Sequence, residues 1–129
     1  MKRHNPSELS APLARYSHAV EIDTPGRLLF ASGQLGLASD GALPPDCLGQ
    51  CAVIFRHLDA ILASAGMSRA DVVRINAFVT AREEMRPYMD ARDAWLAGIE
   101  PPASTLVIVS GFTRHEFKVE VEIVAAKER

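Results

Sequence analysis

The sequence has little cysteine, no excess of positive charge and no long hydrophobic run. Two cysteines among 129 residues are too few for the disulfide framework of a small secreted domain. Lys and Arg number 14 against 16 Asp and Glu, so no basic surface that could follow a phosphate backbone is predicted. No apolar run of bilayer length and no signal-peptide pattern are evident. We expect one cytoplasmic domain over residues 1–129, with neither nucleic-acid nor membrane partners.

The chain also lacks the patterns that hold metals and nucleotides. Cys47 and Cys51 are four residues apart in a helical pattern, and no second Cys or His pair stands at the spacing that zinc requires. We interpret both as packing thiols and predict no metal site. Gly33 and Gly36 follow a strand pattern but lack the spacing and the Lys-Ser/Thr ending of phosphate-binding loops.

Hydrophobic periodicity predicts an α+β fold in the order β-β-α-β-α-β-β. Residues 1–13 are polar and form an extended or partly ordered arm. The turn signal Asp23-Thr24-Pro25-Gly26 predicts a hairpin between the first two strands. The predicted strands are 16–22, 28–32, 72–79, 104–110 and 117–123, and the predicted helices are 47–65 and one from Met85 or Arg86 to Ala97.

Two helices can cover only one face of the predicted mixed sheet of five or six strands. The strands carry apolar residues on parts of both faces, so the second face would stay bare in a single chain. A small domain usually buries such a face against copies of itself. The pattern therefore predicts an obligate homo-oligomer.

The last strand, residues 117–123, alternates apolar and charged residues without a break. Its apolar side chains share one face, and Lys118, Glu120 and Glu122 share the other. That charged face is either a solvated surface or a wall on which two carboxylates look into a cavity. Periodicity alone does not choose between them.

Five sequence blocks resemble the Rid family, also called the YjgF/YER057c/UK114 family. The resemblance extends over nearly the whole chain, in order and with close to the usual spacing. The blocks are Tyr16-Ser17-His18-Ala19, Ala31-Ser32-Gly33-Gln34, Ala65-Gly66-Met67 followed by Asp71-Val72-Val73-Arg74, Pro102-Ala103-Ser104-Thr105, and Val119-Glu120-Val121-Glu122-Ile123 with Ala125.

The resemblance implies a chorismate-mutase-like fold, a homotrimer and ligand clefts between adjacent subunits. It implies an imine or enamine deaminase that needs no metal or cofactor and yields 2-keto acids and ammonia. By the same resemblance, Glu120 positions or activates the attacking water. The backbone of Ser32 and Gly33 helps to bind the ligand, and Tyr16 lines the cleft.

The resemblance implies that Ser104 and Thr105 bind the substrate, but the chain departs from the family pattern in this block. An arginine that holds the substrate carboxylate is usual there, and Ser104 offers one neutral hydrogen bond instead. The family's frequent Asn and Tyr of the second helix fall on Met89 and Arg92. Substitutes for the missing charge are Arg15, His18, Arg92 and Arg114, each of which is otherwise a surface cation.

Two functions from different classes follow from these residues. The first is a Rid-type hydrolase of imine or enamine substrates, with a substrate range altered by Ser104. The second is a non-catalytic homotrimer that binds or senses a small metabolite. An endoribonuclease activity is a remote third, and the charge balance gives it no physical support.

Overall fold

The computed structural model describes residues 1–128, apart from the side chain of Pro25. A four-stranded sheet has the order β3-β6-β4-β5, in which β5 is parallel to β4 and the other pairs are antiparallel. A separate antiparallel pair joins β1 and β2. The strands are β1 (Lys2–His4), β2 (Ala19–Glu21), β3 (Pro25–Leu35), β4 (Val72–Val79), β5 (Ala103–Ile108) and β6 (Val119–Glu128), and the helices are α1 (Cys47–Ser64) and α2 (Met85–Trp95).

Helix α1 forms as its periodicity predicts and packs its apolar face on β3 and β6. Asp46 begins it by accepting a hydrogen bond from the backbone N–H of Gly49 at 2.9 Å. Gly66 follows its end with a φ of 66°, a conformation that glycine adopts without a Cβ clash. By length and hydropathy alone α1 could cross a membrane. Eight of its 18 residues are buried in the core, which accounts for that apolar composition.

A buried glutamine connects α1 to the chain that enters β6. Gln50 is 0% exposed. Its Nε2 donates to the carbonyls of Pro44 and Glu116 at 2.9 and 2.8 Å, and its Oε1 accepts from the backbone N–H of Lys118 at 2.9 Å. Three backbone groups thereby gain partners within the protein, which fixes where β6 starts.

The predicted hairpin between the first two strands is wrong. Strand β2 pairs with β1, whereas β3 pairs with β6 along almost its whole length. The chain therefore has one more strand than predicted, inside the arm 1–13, and the main sheet has four strands rather than five or six. The turn at residues 23–26 separates β2 from β3, but β6 offers β3 a longer partner with matching apolar positions.

No helix covers the second face of the sheet in the described chain. Phe30 is 72% exposed, Leu28 53% and Val107 41%. Phe30 pairs with Val124 of β6, and Val107 pairs with Phe78 of β4, so all four lie on that face. We call this surface the open face. Its apolar content agrees with the reasoning behind the predicted homo-oligomer, which stays a prediction.

Candidate functional site

The predicted water-handling residue lies against the predicted backbone clamp. The register of β3 and β6 shifts between Ala31 and Gln34, so Ser32 and Gly33 form a bulge. Glu120 of β6 extends over this bulge. A Cβ added to Gly33 would lie 2.7 Å from Cδ of Glu120 and 2.8 Å from its Oε2. Only glycine leaves room for the carboxylate at this point.

The surroundings of Glu120 favour its protonated form. Burial, and then the neighbouring charge of Glu122, raise the pKa of Glu120 above its ordinary value. Within residues 1–128 its carboxylate takes part in no hydrogen bond or ion pair. A half-buried carboxylate with a raised pKa and free lone pairs is suited to hold a water molecule and accept its proton.

A second group of predicted site residues lines a cavity of about 380 Å³ between α2 and the edge strand β5. Tyr16, Arg92, Ser104 and Thr105 all border it. Ser104 pairs with the core residue Ile75, so it points to the helix side. The complete lining is Leu13, Ala14, Tyr16, Met85, Met89, Arg92, Ser104, Thr105 and Leu106.

Arg92 is the predicted substitute cation that borders the same cavity as Ser104. It is 3% exposed. Its Nε and Nη2 both donate to one oxygen of Asp93, at 3.1 and 3.0 Å. Its Cζ lies 5.7 Å from the centre of the Tyr88 ring.

The other three predicted substitutes are engaged elsewhere. Arg15 donates to the carbonyls of Leu96 and Ile99 beyond the end of α2, at 2.9 and 2.7 Å. Nε2 of His18 lies 2.8 Å from the carbonyl oxygen of Ser10, and the His18 side chain borders a different cavity. The third, Arg114, pairs with Glu116 at 3.0 Å and stacks over Phe117, in a loop away from α2.

The two groups lie apart within one chain. We call Ser32, Gly33 and Glu120 the bulge group, and Tyr16, Arg92, Ser104 and Thr105 the edge group. Strands β6 and β5 are separated by β4, a distance of about 10 Å. Glu120 also points to the open face, whereas Ser104 points to the helix side. A ligand of a few atoms cannot contact both groups of the same chain.

The described residues contain no cluster of three or more His, Cys, Asp or Glu that could hold a metal ion. Cys47 and Cys51 are both buried and free, as predicted. A hydrogen bond with Cys47, followed by burial, raises the pKa of the Cys51 thiol. A thiol in such surroundings is a poor metal ligand and a poor nucleophile.

Comparison with known proteins identifies the family. The family model described as endoribonuclease L-PSP matches residues 7–127. The chain belongs to this family. It is the YjgF/YER057c/UK114, or Rid, family of the sequence analysis. A RutC family protein of Aquifex aeolicus (strain VF5) is 31% identical over 118 residues, covering 90% of this chain and 91% of that protein.

A solved structure shows the same fold. The Rid-family protein YyfB of Yersinia pestis superposes with a TM-score of 0.88 over 98% of both chains, at 27% identity. TdcF of Escherichia coli (strain K12), provisionally named a reactive intermediate deaminase, is 26% identical over 110 residues, covering 79% of this chain and 81% of that protein.

Sequence reasoning did not assign Met85 or Leu106 to the site, although both border the cavity. A usable signal existed in α2, because Met85, Met89 and Arg92 are spaced by four and three residues and so share one helix face. Whether that face borders a cavity depends on how α2 packs against β5, and residue spacing does not predict this packing.

Proposed function

We propose that this protein is a hydrolase of imine or enamine compounds that works in a cleft shared by two copies of the chain. The observation that carries the proposal is the carboxylate of Glu120, unpaired, half-buried and lying over Gly33. Family membership and the deaminase name of TdcF at 26% identity support the reaction class.

The proposed reaction needs a water molecule and one group that moves protons. Glu120 accepts a proton as the water oxygen attacks the carbon of the C=N bond and returns that proton to the nitrogen, which gives a carbinolamine. Glu120 then moves the proton of the new hydroxyl to the nitrogen as the C–N bond breaks, and ammonia leaves a carbonyl product. Atoms balance as imine plus water giving carbonyl plus ammonia. The backbone of Ser32 and Gly33 holds the ligand beside the carboxylate.

The proposed assembly is a homotrimer. It is supported by the apolar open face, with Phe30 72% exposed, and by the separation of the bulge group from the edge group. If the edge group of one copy faces the bulge group of the next, the two form one cleft. The resemblance of the sequence blocks suggests three copies rather than two.

Ser104 favours a second candidate function, a trimer that binds a small metabolite without converting it. A neutral hydroxyl stands where the family pattern has a guanidinium, so a carboxylate would lose a charged two-pronged partner at that position. Endoribonuclease activity, which the family name carries, is not proposed, because acidic residues outnumber basic ones.

The test compares two neighbouring glutamates of β6. Ammonia release from freshly generated 2-aminoacrylate is measured for the wild type, Glu120→Gln and the matched control Glu122→Gln. We expect Glu120→Gln to reduce the rate by about 100-fold or more, as for loss of a general base, and the control to keep most of it. Equal rates for wild type and Glu120→Gln would exclude the role of Glu120. Saturable binding with no ammonia release above background would favour the second candidate.

A further inference from the structure

Arg92 is a buried cation whose hydrogen bonds are incomplete. Its only ion-pair partner among residues 1–128 is Asp93, which offers one oxygen and whose side chain is 41% exposed. Nη1 of Arg92 donates no hydrogen bond to the described residues. A guanidinium that is 3% exposed normally needs partners for most of its five N–H donors, because burying an unpaired charge is costly.

A second polar group beside Arg92 is also unpaired. The hydroxyl of Tyr88, one turn earlier on α2, is wholly buried and has no hydrogen-bond partner within the described chain. Burial raises the pKa of Tyr88, and the charge of Arg92 opposes that rise. Arg92 thus leaves a donor unused where α2 borders the cavity beside Ser104, and Tyr88 leaves its hydroxyl unpaired in the core one turn earlier.

The rest of the cavity wall suits a small ligand with one negative charge. Met85, Met89 and Leu106 provide an apolar side, whereas Ser104 provides a hydroxyl. The local positive charge comes from one guanidinium that Asp93 partly neutralises, which is too little for a dianion such as phosphate. A single carboxylate on a short aliphatic body matches both the charge and the wall.

We propose that Arg92 is the residue that recognises a small monocarboxylate in the cavity between α2 and β5. The charge that selects the ligand then comes from the helix, while Ser104 is small enough to leave the cavity open. This deepens the proposed function by assigning its substrate to the short 2-imino or 2-keto carboxylates. Binding does not require hydrolysis, so the two claims fail separately.

Calorimetric titration of the full-length protein with pyruvate tests the proposal. Pyruvamide, which has a similar shape but no charge, is the ligand control. We expect saturable pyruvate binding by the wild type, at least tenfold weaker binding by Arg92→Met, and partial retention by Arg92→Lys. The matched protein control is Arg86→Gln on the same helix, whose side chain is 77% exposed, and it should bind as the wild type does.

Ser104→Glu keeps the test decisive if Arg92→Met fails to fold. It leaves Arg92 in place and adds a carboxylate to the cavity, so pyruvate binding should again fall at least tenfold. Pyruvate affinity unchanged in folded Arg92→Met or in Ser104→Glu would overturn the proposal, as would equal affinity for pyruvamide or no binding by the wild type. Arg92-dependent binding without ammonia release would leave this inference standing and reject the hydrolase.

Discussion

Along β6, Val119, Val121 and Ile123 face the helices and are at most 2% exposed, whereas Glu120 and Glu122 face a side on which Phe30 is 72% exposed. The helix side is therefore complete within one chain, with α1 packed on it. No helix covers the open face within residues 1–128, and the carboxylates of Glu120 and Glu122 on it have no hydrogen-bond or ion-pair partner there. The charged positions of a regular strand thus mark the side on which we propose that a second copy and a ligand complete the site.

The largest expected effect is on the helix side of β6. Ile123→Ala should lower the free energy of unfolding by about 2–5 kcal/mol, because it removes methyl groups from a closed core. Glu122→Ala on the neighbouring position should change it by less than about 0.5 kcal/mol. Urea unfolding at one fixed protein concentration measures both. A similar loss in the two variants would show that the open face is packed as tightly as the core.

Gly36 and Gly33 allow the helix side and the open face to be compared without changing a charge. A Cβ at Gly36 would lie 2.6 Å from Cβ and 2.7 Å from Cα of Gln50, which belong to α1. The atoms nearest to a Cβ at Gly33 would be Cδ, Oε2 and Cγ of the Glu120 side chain, at 2.7–2.9 Å. Gly36→Ala should therefore cost about 1–3 kcal/mol of stability. Gly33→Ala should cost less than about 0.5 kcal/mol, because Glu120 can rotate away.

The same rotation should make Gly33→Ala the less active of the two variants. Displacing Glu120 from the bulge should lower ammonia release by about tenfold or more, because a misplaced base loses its alignment. Thermal melts and the ammonia assay on the same samples separate the two effects. Gly33→Ala with wild-type activity would mean that the contact between Gly33 and Glu120 has no part in catalysis.

The smallest expected effect is a pH-dependent gain in stability from Glu120→Gln. The pKa of Glu120 is raised in the folded chain by burial and by Glu122, so folding favours its protonated form. The associated stability is complete below the ordinary pKa and is lost as pH rises through the folded-state pKa. At pH 7 the variant should be more stable than the wild type by less than about 1 kcal/mol, and at pH 4 this gap should shrink.

Urea unfolding of both proteins at the two pH values measures the gap. A gap of the same size at pH 4 and pH 7 would mean that Glu120 titrates normally. In the ammonia assay, Glu122→Gln should move the acidic limb of the pH profile to lower pH, because it removes the charge that helps to raise the pKa of Glu120.

The sequence predicted the parts of the fold that depend on local periodicity. The alternation in β6 and the three- and four-residue spacing in α1 each specify one buried face, and both faces are buried as expected. The hairpin after Asp23 was wrong because a turn signal is local, while the choice of strand partner is not. Strand β3 joins β6, about 90 residues later in the chain, because their apolar positions match in register.

The sequence predicted which residues belong to the site but not how those residues are arranged. Family resemblance named Glu120, Ser32 and Gly33, yet their contact depends on a bulge that no periodicity shows. Arg92 was one of four candidate cations, and spacing alone could not separate it from Arg15 on the surface. Only the packing of α2 against β5 brings Arg92 and Ser104 to one cavity.

The most direct test of the shared cleft is a mixing experiment with two impaired chains. Glu120→Gln alters the bulge group and Ser104→Glu alters the edge group, and each variant alone should release ammonia at no more than about a tenth of the wild-type rate. After joint unfolding and refolding at equal amounts, about one quarter of the sites should combine two unchanged groups, with recovery of about that share of wild-type activity. No recovery in mixed assemblies of confirmed size, or a rate near that of the wild type in either parent alone, would contradict the account.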